Sequence, residues 1–248
     1  MAKNLFGSSS SNPMLKEDTF KPKYNSSGLM IEGDVMTVNG AVNKTLLLFS
    51  MMMATTSIAW FMPSTFLLYV GAGGGLVVLI AAAFKPNLAP FLAPLYALLE
   101  GLAIGTISVM YATAFEGIVL QAVGLTFGTL FMMLAIYKSG LIKVTEKFRM
   151  GVAMATGAIM ILYLFGWIGQ IFGFEVAMLH DSGMFGIGIS AVIIVVASMN
   201  LLLDFDMFER GEKQGAPIYM EWFAAMGLIV TLVWLYIEFL RLLSKLRD

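Results

Sequence analysis

The chain has 248 residues, is 59% hydrophobic and only 12% charged, and carries a net charge of −1. A soluble domain carries about 25% charged residues, so this composition cannot coat a water-facing surface, and the near-neutral balance offers no basic field for nucleic acid. Cysteine is absent and His180 is the single histidine, which excludes disulfides, thiolate sites, a cysteine nucleophile and multi-histidine metal sites.

Residues 1–43 read as a flexible polar cytoplasmic tail. They open on Gly7-Ser8-Ser9-Ser10-Ser11-Asn12-Pro13, continue with mixed charge to Asp34, and contain no apolar run of signal-peptide length. Residues 44–248 are a different material. Seven apolar stretches, at 44–62, 65–84, 89–112, 116–137, 150–173, 183–204 and 217–243, are bounded by charge, Pro or Gly. Each approaches the roughly 20 residues that a helix needs to cross about 30 Å of hydrocarbon. Backbone groups in lipid must be bonded within their own segment, which requires helices; barrel strands would alternate over about ten residues. The expected fold is an all-α membrane protein, a bundle of seven transmembrane helices.

The basic residues orient it. Lys3, Lys16, Lys21, Lys23 and Lys44 precede or open span 1, and Lys85 lies between spans 2 and 3. Lys138, Lys143, Lys147 and Arg149 lie between spans 4 and 5, and Arg210 and Lys213 between spans 6 and 7. The loops after spans 1, 3 and 5 contain no Lys or Arg, so the N-terminus is expected in the cytoplasm. Arg241, Lys245 and Arg247 follow or end span 7 and run against the pattern. Either span 7 crosses fully with these side chains snorkelling outside, or it turns back as a re-entrant segment; crossing is favoured.

Small residues four apart let helix backbones approach closely, and four such pairs occur: Gly71/Gly75, Gly101/Gly105, Gly124/Gly128 and Gly169/Gly173. The Gly101–Thr106 and Gly124–Thr129 segments resemble each other, and two independent packing faces explain this better than an internal repeat. Pro86, Pro90 and Pro94 predict a kinked entry to span 3. Met51-Met52-Met53 reads as lipid-facing or core filler.

Ionisable groups inside a membrane are costly and point to function. Glu100 lies near the middle of span 3, Asp204 at the end of span 6 with Asp206 just beyond, and Glu238 inside span 7. With no Lys or Arg mid-span, protons or a bound cation must supply the missing charge, and two neighbouring acids would share a proton. Such a pair works as a pH-sensitive gate or a cation site. The plainer readings are headgroup water around Asp204 and Asp206, an i, i+3 pair between Glu238 and Arg241, and a protonated packing role for Glu100. Calcium wants six to eight oxygens; two or three carboxylates with kink carbonyls give a weak site, and no tightly bound cofactor is expected.

Enzymatic readings fail on the residues. A retinal Schiff base needs a lysine deep in the last helix, and Lys245 sits at its end. Ser190 has no histidine at matched depth, since His180 lies in a loop. Asp204 and Asp206 share one segment and cannot face each other as an aspartyl pair. No P-loop or dinucleotide fingerprint occurs.

Several segments together resemble one family. Leu201-Leu202-Leu203-Asp204-Phe205-Asp206, Leu235-Tyr236-Ile237-Glu238-Phe239-Leu240, and the order of spans resemble the Bax-inhibitor/YccA family. Ser11-Asn12-Pro13-Met14-Leu15, Met36–Thr45 and Gly215–Trp222 look like its bacterial branch. The resemblance covers nearly the whole chain. It implies seven helices with a central last helix, placement in a bacterial plasma (inner) membrane, and a pH-sensitive calcium leak. An aspartate pair on spans six and seven acts there as proton sensor and cation site. By motif Asp204 matches the first of these and Glu238 the second, with Asp206, Glu100 and Glu221 as auxiliary acids.

The chain departs from the family pattern in three ways. The second acid is Glu, the stretch between the two acids is longer, and span 2 has no arginine. Glu238 lies about 25 Å beyond Glu221 along an unbroken helix, so Glu221 rivals it as a partner for Asp204. The implied partners are the lipid bilayer and calcium or protons. In an alternative reading the chain has no transport activity and regulates a membrane-bound ATP-dependent (AAA) quality-control protease through its tail.

Overall fold

A threonine starts the first helix. Thr37 is extended, and its hydroxyl accepts the Gly40 amide at 2.9 Å, an N-cap that satisfies one of the helix's free donors. Helix α1 then runs Val38–Phe61. The computed structural model describes residues 35–172 and 183–247, so most of the tail, Gly173 and His180 lie outside the described residues. Val38–Asn43, read from the sequence as the end of the tail, is helical because this cap precedes it.

Ser64 caps α2 (Thr65–Phe84) by accepting the Phe66 amide at 3.2 Å. Pro86 opens a single 3-10 turn, Pro86–Leu88, where a missing N–H costs nothing. Helix α3 (Ala89–Ala114) follows with Pro94 inside it. Gly117 and Gly140, at φ 71° and 70°, bracket α4 (Ile118–Ser139), in a left-handed conformation that side chains disfavour. Helix α5 spans Glu146–Phe172.

Helix α6 (Met184–Lys213) outruns its predicted apolar stretch by nine residues. Its polar last turns are good helix formers, and Lys213 donates to Glu209 at 3.1 Å, one turn back. Gly215, at φ 62°, turns the chain into α7 (Tyr219–Lys245), 27 residues without a break. At 1.5 Å per residue this helix is about 40 Å long, long enough to cross a bilayer in one piece.

No strand forms among the described residues, and seven helices are long and apolar enough to cross a membrane. Buried side chains concentrate on α7, where Met226, Ile229, Leu235 and Leu240 are fully enclosed. By contrast Phe66, Phe91 and Leu120 are more than 70% exposed. Apolar surface of this extent belongs against lipid.

The chain divides into two compact units. The first holds residues up to Ala103 with Met207–Met226, and the second Ile104–Asp206 with Gly227–Asp248. In the first unit glycines set the helix spacing. A Cβ on Gly71 would lie 2.6 Å from the Leu99 carbonyl and 2.7 Å from the Ala103 amide, so α2 and α3 touch backbone to backbone. Gly101 meets Thr55 and the Met52 carbonyl of α1 in the same way, and Thr56 donates to the Gly101 carbonyl at 3.1 Å. In the second unit Gly124 and Gly128 of α4 face open space. Their four-residue spacing therefore marks no packing face among the described residues.

Candidate functional site

Five acids stand out from the sequence, and the structure gives each its own surroundings. In the first unit Glu221 opens α7 and is 3% exposed. Its Oε1 accepts the Thr37 amide at 2.8 Å and the Thr37 hydroxyl at 3.0 Å, and its Oε2 is ion-paired to Lys44. Gly40 leaves room for this carboxylate, which a Cβ there would strike. The Lys44 ammonium also lies 5.4 Å from the Trp222 ring centre. Glu221 is thus the acceptor that ties the start of α1 to the start of α7. Beside it the Met36 amide donates to the Ala216 carbonyl at 2.7 Å, and Glu212 accepts the Val38 amide at 3.1 Å.

Glu100, also in the first unit, sits on α3 one turn after Tyr96, whose hydroxyl lies close to it. Its Oε2 points at Gly75 of α2, where a Cβ would come within 2.8 Å. The glycine stripe of α2 therefore serves two ends: it admits the α3 backbone and makes room for an acid.

In the second unit Asp206 is bonded by Arg149 Nη2 of α5 at 3.0 Å, and Arg149 also reaches Glu146 at 2.9 Å. Asp206 is therefore a member of a charge network between α5 and α6. Asp204, two residues earlier, faces α7. It lies close to Thr231, its Oδ1 would lie 3.7 Å from a Cβ on Gly227, and its Oδ2 is enclosed with no hydrogen-bond partner among the described residues. Among the described residues no basic side chain is paired with it.

Glu238 is 1% exposed. Its Oε1 accepts from the Tyr163 hydroxyl of α5 and from Arg241 Nη1 at 2.8 Å, and Arg241 donates to Tyr163 at 2.6 Å. The guanidinium stacks 5.0 Å from the Tyr163 ring centre. Glu238 Oε2 has no hydrogen-bond partner among the described residues. The expectation that no fixed positive charge neutralises the intramembrane acids is thus corrected here: Arg241 lies three positions on, on the same helix face, and its stem reaches back.

Asp204 and Glu238 do not form a pair in this conformation. Asp204 lies beside Thr231, and Glu238 is seven residues further along α7, about 10 Å along its axis. Among the described residues no three acidic, cysteine or histidine side chains gather as a metal site. Thr37, Lys44, Tyr163, Thr231 and Arg149 complete these clusters without any local sequence signal, since each partner lies tens of residues away. Tyr96 with Glu100 and Glu238 with Arg241, at helical spacings, are the pairs that sequence can show.

These features define a polytopic helical membrane protein with acids placed inside its bundle. A family model described as Bax inhibitor 1 like matches residues 9–248, and the chain belongs to that family. Comparison with curated proteins returned no match, and comparison with solved structures returned none.

Proposed function

We propose that this protein is a pH-sensitive cation leak, with Asp204 as the group whose charge state opens and closes it. One observation carries the reading: the Asp204 carboxylate is held between α6 and α7 with one enclosed oxygen unpartnered and, among the described residues, no basic side chain paired with it. The nearby Thr231 hydroxyl donates to the Gly227 carbonyl at 3.2 Å, so its single proton is committed there. A proton on Asp204 supplies the missing donor, and a passing cation supplies the missing charge. Either species therefore competes for one place, which is the logic of a proton-gated cation path.

In this reading the other acids have different tasks. Glu238 is neutralised by Arg241, Glu221 by Lys44 and Asp206 by Arg149. Calcium would meet few oxygens at Asp204, so it would pass weakly bound, as conduction requires. The protein acts as a conduit and not as an enzyme, in the plasma membrane of a bacterium, and it needs no resident cofactor.

The test is calcium flux through purified protein in liposomes from mildly acidic to mildly alkaline pH. Asp204→Asn is expected to abolish the pH dependence and lower the flux about tenfold, equivalent to about 1.4 kcal/mol of ion interaction. Glu221→Gln is expected to keep the pH dependence. A wild-type flux equal to that of empty liposomes at every pH removes the leak reading and shifts the weight to regulation of a membrane protease.

A further inference from the structure

Six residues of α7 in the second unit follow each other at steps of four, three, four, three and four: Gly227, Thr231, Trp234, Glu238, Arg241 and Lys245. At 3.6 residues per turn they fall within about 80° of the helix circumference and extend about 27 Å along the axis. That length is close to the hydrocarbon thickness of a bilayer. A polar line of this length along a mostly enclosed transmembrane helix needs an explanation, because lipid-solvated helices carry apolar residues at such positions.

The line also gathers unmet hydrogen-bonding atoms. The Asp204 carboxylate approaches Gly227 through Oδ1, and among the described residues its Oδ2, Trp234 Nε1 and Glu238 Oε2 are enclosed and lack partners. Trp234 and Glu238 are one turn apart on the same face, so a free donor and a free acceptor are neighbours. The pairing suits water, which offers an acceptor to the indole and a donor to the carboxylate. Beyond them the line is closed by side chains bonded to one another. Arg241 donates to Glu238 and to Tyr163, and Lys245 donates to the Gly186 carbonyl at 3.0 Å and to Ser190 at 3.1 Å.

We propose that this face of α7 is a hydrated path through the second unit, that water binds between Trp234 and Glu238, and that the Tyr163–Glu238–Arg241 cluster is the closure at its C-terminal end. The inference stands on the line of residues and the unpartnered atoms, and it does not need the leak reading to hold. It assigns Glu238 a role other than that of Asp204: Glu238 holds the closing arginine in place. It gives Trp234 and Tyr163 roles in positioning water and the guanidinium.

The natural chain has no cysteine, so single cysteines report without background. A thiol must be in contact with water to form the thiolate that reacts. Thr231→Cys, a near-isosteric change, and Trp234→Cys are placed on the line. Ile229→Cys and Leu240→Cys, fully enclosed and on the opposite face, are the dry controls. The probe is a small cationic methanethiosulfonate applied to the full-length protein in liposomes, with labelling read by mass.

Labelling at Thr231→Cys and Trp234→Cys is expected to be about tenfold faster than at the controls, as thiolate exposure requires, and faster again when Arg241→Gln removes the closure. Equal rates on the two faces overturn the path. Rates on the line that Arg241→Gln leaves unchanged overturn the closure. The measurement involves no ion flux, so a labelled line in a protein without flux keeps this inference and loses the leak, while a dry line in a conducting protein does the reverse.

Discussion

Removing the Glu221 side chain tests whether the first unit is held by the buried acceptor at the head of α7. Glu221→Ala leaves the Thr37 amide and hydroxyl without their acceptor and Lys44 without its partner. An orphaned donor costs about 1–3 kcal/mol, and breaking a buried ion pair about 3–5 kcal/mol. Lys44 retains 19% side-chain exposure and can turn its ammonium towards water, so the lower ends apply and the terms overlap. The expected loss is about 3–4 kcal/mol, a fall in Tm of about 10 °C for a chain of this size.

The assay is thermal unfolding of purified protein in detergent, followed by circular dichroism. Two further variants separate the causes. Glu221→Gln keeps an acceptor for Thr37 and should lose about half as much. Glu221→Met with Lys44→Met removes both charges and should return to within about 1 kcal/mol of the wild type. If Glu221→Ala costs less than about 1 kcal/mol, the value of a surface pair, then Glu221 does not anchor α1 to α7 and the reasoning fails.

The same logic in the second unit predicts that Arg241→Ala costs about 3–5 kcal/mol by leaving Glu238 enclosed and unpaired. Arg241→Met with Glu238→Met should restore most of it in the same unfolding measurement. Gly71→Ala drives a methyl into the Leu99 carbonyl and Ala103 amide of α3, and should lower stability by about 1–3 kcal/mol. Gly73→Ala and Gly128→Ala meet nothing within 4 Å and should be neutral or stabilising by up to about 1 kcal/mol. Thermal unfolding of the three proteins together separates a packing glycine from a spacing coincidence.

Most of the fold is legible because lipid demands long apolar helices and the sequence has no other way to supply them. The boundaries fail where a helix leaves the apolar stretch. Val38–Asn43 and Phe205–Lys213 are helical through capping and i, i+4 charge pairs, terms that a hydropathy reading does not weigh. The glycine pairs show the limit of spacing as evidence: Gly71 and Gly101 touch backbone, and Gly124 and Gly128 touch nothing.

The acids show a similar split. Burial of Glu238 and its pairing with Arg241 follow from positions on one helix. The Lys44–Glu221 and Arg149–Asp206 pairs join residues 177 and 57 positions apart, and only the folded bundle brings them together. That separation is why Glu221 could be read as a rival partner for Asp204 when it is committed to the start of α1.

The three basic residues that end the chain bear on its orientation. Lys and Arg near the ends of a span favour the cytoplasmic side. Arg241 forms its pair with Glu238 within one turn of its own helix, so it is neutralised as α7 forms. Lys245 is 7% exposed against Gly186 and Ser190. Arg247 donates to the Glu116 carbonyl at 2.7 Å and to Gln121 at 2.8 Å, in the loop before α4 and its first turn, a region without Lys or Arg. Most of the other Lys and Arg residues lie in the tail and in the loops that follow spans 2, 4 and 6, and the C-terminus is expected on the side opposite the N-terminus. A reporter enzyme active only outside the cytoplasm should work when fused after the last residue and fail when fused before the first. Arg247→Gln, which removes the most exposed of the three charges, should leave both results unchanged. Activity of the reporter at both ends, or at neither, would show that α7 does not complete a seventh crossing, and that the terminal cations hold it in the cytoplasm after all.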